Sequence, residues 1–344
     1  MKGFYEVKDV NFMIYRWIRK VFFIYSLETM NFEENFWDAD TKKEFLHCIK
    51  NRVLEQKFVY FGVGAYHYYQ YGHGTDVAST TSSSLSHTKL DYNSFVYDTI
   101  KDLIITLVSL CNFQEKALLL FLHQKCKVSY IGVDSSQSMI DLAKENLKSL
   151  PIATEFICDF YKPEVRNLIQ QKTKDSPKRL FSFMKTISNT NQTNIVDSLY
   201  NMLNEDLLWF ECFGRTGDDN VIFLSLFDRY SYLHNEHMTK FYLSPLEQII
   251  PASVKLNIQT AKESSVGAII FDFSFIFTKK FVVDIFETVH FLPNEKITLY
   301  KIRNYNIATL TRFVSEHNFS FLKKESIAYP NMLEVQFMFK KTKE

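Results

Sequence analysis

The rhythm of hydrophobic and polar positions changes near residue 93. Beyond it, short continuous apolar runs alternate with segments of helical period. Residues 104–110, 128–134, 153–158, 180–184 and 207–213 read as strands, and 114–123, 138–147, 163–171 and 193–203 between them read as helices. Strands that are apolar throughout, rather than at every second position, predict a parallel sheet covered on both faces by the intervening helices. After Gly214 the alternation is interrupted by a segment predicted as helical, 218–250, and by two long apolar strands, 267–277 and 281–290. A helix over 306–317 follows. The strands 319–328 and 332–340 are joined by Tyr329-Pro330-Asn331, a turn that predicts an antiparallel hairpin. Upstream, residues 1–98 read as mostly helical, broken by an irregular Tyr- and Gly-rich piece at 58–74 and by a Ser/Thr-rich loop at 79–88.

This pattern predicts an α/β core over residues 93–215, completed by 304–344. A second, α+β substrate domain is expected from the N-terminal region, 1–92, and the insertion, 216–303. The length of 344 residues suffices for both. With 40 basic and 39 acidic residues the formal charge is +1, which leaves no electrostatic footprint for a polyanion, so nucleic acid is not an expected partner. Cys48, Cys111, Cys126, Cys158 and Cys212 are scattered without Cys-x-x-Cys spacing, which predicts neither a disulfide framework nor a zinc knuckle and fits a reducing cytoplasm. The early apolar stretch at 12–27 is broken by Arg16, Arg19 and Lys20, and no run reaches the ~20 apolar residues of a membrane span. Aromatic residues make up 16% of the chain, so a single Phe or Tyr says little about a site.

The most informative segment runs from Lys127 to Leu147: an apolar strand ending in Asp134, then Ser135, Ser136 and an amphipathic helix. A carboxylate at the end of the second strand of a doubly wound sheet lies at the ligand crevice and can accept both ribose hydroxyls of an adenosine-containing ligand. The same residue types also serve as helix caps. A dinucleotide reading requires Gly-x-Gly-x-x-Gly upstream, which is absent.

A parallel sheet closed by a reversed hairpin resembles the layout of class I S-adenosylmethionine-dependent methyltransferases. Asp134, the Cys158-Asp159-Phe160 step, Thr186-Ile187-Ser188-Asn189 and the segment 294–305 together resemble the histidine-specific N-methyltransferase family of the ergothioneine pathway, from about Asp91 to the C-terminus. The resemblance implies S-adenosylmethionine as cofactor. It places Asp134, with Ser135 beside it, on the ribose, Asp159 and Phe160 on the adenine, and Cys111 and Lys116 near the rest of the donor. It implies Asn189 and Tyr232 as substrate contacts; Tyr232 precedes Thr239 as a family Tyr precedes Gly-Val-Thr. His234 and His237 lie three apart with no third ligand legible, so no metal is expected.

Two departures stand out. The turn after the first strand, Ser109 to Lys116, contains no glycine, although only glycine lets a backbone approach a ligand without interposing a side chain. The family's Glu-x-Ser, which reads an imidazole, falls on Tyr300-Lys301-Ile302, so Tyr300 and Ile302 predict a more apolar or aromatic acceptor than histidine. The expected function is N-methylation of an amino acid or other small amine. The alternative is a methyltransferase-like protein that has lost catalysis and serves as a binding or assembly partner.

Overall fold

The computed structural model describes residues 39–73, 95–96, 104–110, 115–158, 163–176, 178–183, 186–189, 196–197, 200, 203, 206–215, 236–246, 254–284, 287–329 and 332–342. Its centre is a sheet in which β3 (Ala153–Cys158), β2 (Lys127–Asp134), β1 (Ile104–Leu110), β4 (Arg179–Ser182) and β5 (Leu207–Arg215) lie side by side, all parallel. The hairpin of β11 (Phe319–Tyr329) and β12 (Met332–Lys341) closes this row, β12 running antiparallel along β5 from Leu207 to Gly214. The order β3-β2-β1-β4-β5-β12-β11, in which β12 alone runs against the others, is that of the class I methyltransferase fold.

The strand 267–277 is observed as β7 (Ala268–Phe277), but the expected 281–290 strand is divided into β8 (Phe281–Asp284) and β9 (Thr288–Phe291), which pair antiparallel as a separate small sheet. Two further strands are not legible as apolar runs: β6 (Val254–Glu263) and β10 (Lys296–Asn306). β6 alternates apolar with polar residues and among the described residues pairs with β7 alone, so only half of its positions need to be apolar. β10 carries Lys296, Lys301 and Arg303; the last is buried and donates to Glu263 at 2.8 Å.

β10 pairs parallel with the last three residues of β5, from Asn304↔Phe213 to Asn306↔Arg215. Because β12 occupies the other edge of β5, β10 lies on the edge that β4 vacates after Ser182. The antiparallel set β10-β7-β6 is thus added at the C-terminal ends of the parallel strands, where a doubly wound sheet binds its ligands.

The helices that cover the sheet are α3 (Glu115–Lys125), α4 (Gln137–Leu147), α5 (Pro163–Thr173) and α8 (Ile307–Glu316). On one face α3 packs Leu118, Leu119 and Leu122 against Leu107, Leu180 and Trp209. On the other face α8 and α5 cover Phe181, Phe210 and Phe337. Helix α8 begins where Asn306 accepts from the Thr309 amide at 3.1 Å, and its buried Leu310, Phe313 and Val314 follow the i, i+3, i+4 spacing of one face.

Upstream, α1 (Ala39–Lys50) and α2 (Val63–His73) flank a short 3-10 turn, Gln56–Tyr60, so the piece read as irregular is largely helical. Gly64 is what its close packing requires: a Cβ there meets the Val59 carbonyl oxygen at 2.1 Å and Ser244 Oγ at 2.3 Å. The 218–250 helix is seen in part, as α7 (Glu236–Leu243) and a 3-10 turn at Ser244–Leu246; the rest of it, and most of the 193–203 helix, lie outside the described residues. A third core joins the N-terminal helices to the insertion through Phe45, Phe58, Phe241, Phe277 and Phe291. Arg52, at φ 62, fastens this junction by donating to the carbonyls of Ile49 at 3.0 Å and His290 at 2.7 Å and to Glu295 at 3.1 Å. No helix among the described residues is long and apolar enough to cross a membrane.

Candidate functional site

The C-terminal ends of the parallel strands present two groups of polar residues. The first is centred on Asp134, the last residue of β2, paired in register with Cys158 at the end of β3. Asp134 Oδ1 accepts the Ser136 amide at 2.9 Å, and the Ser135 amide is a second backbone donor to the carboxyl. Despite both, desolvation dominates and raises its pKa from the usual carboxylate range to about 7. The carboxyl is therefore poised between its neutral and charged forms near neutral pH, and any ligand that donates hydrogen bonds to it favours the charged one.

Ser136 is the N-cap of α4, accepting from the Met139 amide at 3.3 Å. Its hydroxyl donates in turn to the Tyr60 carbonyl at 2.7 Å, and the Gly62 amide donates to Ser138 Oγ at 2.9 Å. Two hydrogen bonds thus tie the N-terminal segment to the turn that follows Asp134. Behind them α2 packs Ala65 against Met139, Ile140 and Ala143 of α4, with Tyr66, Tyr69 and Cys158 at the border. Burial raises the phenol pKa of both tyrosines. Sequence reasoning singled out Asp134 but not its attachment to Tyr60 and Gly62, because a backbone carbonyl and amide leave no trace in residue type.

The second group lies about β4, β5 and β10. After β4 the chain turns into α6 (Thr186–Asn189), which is stapled down twice: Tyr305 of β10 donates its phenol to the Ile187 carbonyl at 2.6 Å, and Ser188 Oγ accepts the Phe213 amide of β5 at 3.3 Å. These bonds fix Asn189, half-buried, beside the ends of β5 and β10. Burial pushes the Tyr305 phenol well above its ordinary pKa, so it remains a donor across the physiological range. Ile302 is buried on β10 opposite Phe271, and Tyr300 is two residues earlier, opposite Phe273. Asn304, two residues beyond Ile302 on the same face, is 4% exposed.

The face to which Asn304 belongs also carries Ser182, Glu211 and Gln336, which sequence reasoning missed. Glu211 interrupts the otherwise apolar run of β5 and is 1% exposed. A carboxylate in a strand buried on both sides is the signal that marks it in the sequence.

Of the other expected residues, Lys116 lies half-buried in the first turn of α3, beyond the end of β1. Cys111, Asp159, Phe160 and Tyr232 fall outside the described residues, as does His234. His237 faces His67 of α2, with the Nδ1 atoms 3.1 Å apart. Among the described residues no cluster of three or more His, Cys, Asp or Glu side chains can hold a metal ion.

No protein-family model and no curated protein matches the chain. Solved structures do align with it at low identity. An S-adenosylmethionine-dependent methyltransferase from Clostridium acetobutylicum aligns at 13% identity and TM-score 0.41, over 78% of this chain and 99% of that one. The 1,6-didemethyltoxoflavin-N1-methyltransferase of Burkholderia thailandensis, crystallised with S-adenosylhomocysteine, aligns at 8% identity and TM-score 0.39, over 82% and 88%. The magnesium protoporphyrin IX methyltransferase of Synechocystis, with bound SAH, aligns at 9% identity and TM-score 0.35, over 92% and 94%.

Proposed function

We propose that this protein is an S-adenosylmethionine-dependent N-methyltransferase acting on the amine of a small molecule. The observation that carries the reading is the Asp134 carboxyl, held by backbone amides at the end of β2 in a sheet with the class I methyltransferase strand order. Oδ1 already accepts from Ser136, and the rest of the carboxyl has the acceptor capacity that vicinal ribose hydroxyls need. When bound, the cofactor supplies a methyl group activated on a sulfonium. The remaining work falls to orientation, because transfer needs an amine lone pair held in line with the methyl carbon rather than a strong general base. Asn189 is assigned to this role, supported by the staples from Tyr305 and Phe213 on its neighbours Ile187 and Ser188, and its amide oxygen can accept from an amine. Lys116, in the first turn of α3, with Cys111, and Asp159 with Phe160 are assigned to the donor. Tyr232, Tyr300 and Ile302 are assigned to the acceptor, the latter two being more apolar than the carboxylate and hydroxyl by which the resembling family recognises histidine.

The glycine-free turn from Ser109 to Lys116 favours a second reading, a methyltransferase-like protein that binds a protein partner without catalysis. Isothermal titration with S-adenosylmethionine and S-adenosylhomocysteine, with NAD as control, separates the two. Micromolar binding of the first two and none of the third supports the enzyme. No heat at several temperatures together with no thermal stabilisation removes it and leaves the binding protein.

A further inference from the structure

On one face of the sheet, alongside β5 from Trp209 to Phe213, the side-chain oxygens Ser182 Oγ, Asn304 Oδ1 and Gln336 Oε1 are buried and accept no hydrogen bond from the described residues. The residues are 1%, 4% and 0% exposed. Their registers place them around Glu211: Gln336 is its direct partner on β12, Ser182 pairs with Trp209 two residues before it, and Asn304 pairs with Phe213 two residues after it. Alternation along each strand puts all of them on the face of Trp209, Leu180 and Met338, opposite the face of Phe210, Phe181 and Phe337. With about 4.8 Å between strands and about 3.3 Å per residue, the patch is roughly 12 Å across, with the carboxylate at its centre.

Acceptors predominate in the patch, beside one ring N–H, Trp209 Nε1. The Gln336 amide is oriented by its own donation to Glu325 at 3.3 Å, which leaves Oε1 as the atom without a donor. The indole of Trp209 adds an aromatic surface of the kind that attracts cations. A buried polar atom without a partner is costly and uncommon, and several gathered about one carboxylate form an arrangement that a ligand rich in N–H donors completes.

We infer that Glu211, with Ser182, Asn304 and Gln336, forms the subsite that receives the acceptor's amino group, and that the acceptor is a primary amine bound as its ammonium form beside an apolar or aromatic body. Glu211 pairs with the ammonium and the three neutral oxygens accept its N–H groups or those of a neighbouring donor. One proton leaves the nitrogen before its lone pair attacks the methyl carbon, and Glu211 is the carboxylate placed to take it. The new N–C bond forms as the methyl–sulfur bond breaks, and the sulfur retains that bond's electron pair. This rests on the methyltransferase reading for its chemistry but not for its recognition, which concerns the amine alone.

The test is saturation-transfer NMR and calorimetry on the full chain with phenethylamine and its matched alcohol, 2-phenylethanol, with and without S-adenosylhomocysteine. The amine is expected to bind at least tenfold more tightly than the alcohol, and Glu211→Gln to remove that preference. Ser182→Ala is expected to weaken amine binding severalfold while leaving the melting temperature unchanged or higher, because it deletes an unsatisfied hydroxyl. A structural role predicts the opposite, a lower melting temperature with ligand affinity intact. Equal binding of amine and alcohol, no binding of either, or an undiminished preference in Glu211→Gln overturns the subsite. Failure of S-adenosylhomocysteine to bind while the amine preference persists overturns the methyltransferase reading and leaves the subsite standing.

Discussion

Strands β4 and β5 are built differently at their two ends. At the N-terminal end, Arg179 meets Asp206 in a bidentate pair, Nε to Oδ1 at 2.8 Å and Nη2 to Oδ2 at 2.6 Å, and donates through Nη1 to Thr173 of α5 at 2.9 Å. The Thr173 hydroxyl in turn donates a hydrogen bond to the Ile169 carbonyl at 2.7 Å. Both charged residues are buried, and hydrogen bonds satisfy the pair on each side. Toward the C-terminal end of the same strands, Ser182, Asn304 and Gln336 hold buried oxygens with no donor among the described residues, and Asp134 keeps a carboxyl that desolvation drives toward neutrality. The closed end serves the fold. The end with unmet acceptors is where a ligand gains most, since natural proteins retain such groups where binding needs them at the expense of stability.

The contrast can be broken most severely from the closed end. Asp206→Ala leaves Arg179 buried without its counter-charge and is expected to destabilise the protein by about 3–5 kcal/mol, read by chemical denaturation, with no specific effect on ligand recognition in the folded fraction. At the open end, Asp134→Asn keeps the shape but not the charge. It is expected to weaken S-adenosylhomocysteine binding by about 3 kcal/mol, roughly 100-fold, as two hydrogen bonds to a charged acceptor are downgraded, while denaturant stability holds or rises.

Smaller effects sharpen the comparison. Gly64→Ala drives a Cβ into the Val59 carbonyl and Ser244, so α2 must shift; a cost of about 1–3 kcal/mol is expected, with loss of the protection from hydrogen exchange that Ser138 gives the Gly62 amide. Tyr305→Phe removes the bond to the Ile187 carbonyl and is expected to cost about 1 kcal/mol. If Asn189 positions the acceptor, the same change lowers turnover more than it lowers donor affinity.

The central strands are legible in the sequence because β4 and β5 are buried on both faces and β2 along most of its length, so they appear as apolar runs within a residue or two of their observed bounds; 104–110, 153–158 and the C-terminal hairpin lie as close to theirs. β6 and β10 are not, because β6 borders the sheet with its lysines exposed and β10 buries Arg303 against Glu263 of β6, a pairing that residue type alone does not show. The helix α2 is hidden by its tyrosines and by Gly64, whose role is a tertiary contact. At the site, Asp134 is legible because a strand-end acid before a capped helix is a local pattern. The set around Glu211 is not, since residues 182, 211, 304 and 336 are assembled only by the registers of β4, β5, β10 and β12.

Asp134 also fixes how the site responds to pH. Its raised pKa means that the stability it contributes is fully present below the unfolded value near 3.8 and is lost as pH rises through about 7, where the unliganded fold must bury a charge. A donor whose ribose hydroxyls bind the ionised carboxylate reverses that penalty, so binding expels a proton. Titration of the wild-type protein with S-adenosylhomocysteine at pH 6, 7 and 8, in buffers of different ionisation heat, tests this directly. The account predicts affinity that rises severalfold from pH 6 to 8, with a fraction of a proton released near pH 7, and neither effect in Asp134→Asn. Binding that is independent of pH and of Asp134, or no binding at any pH, contradicts it.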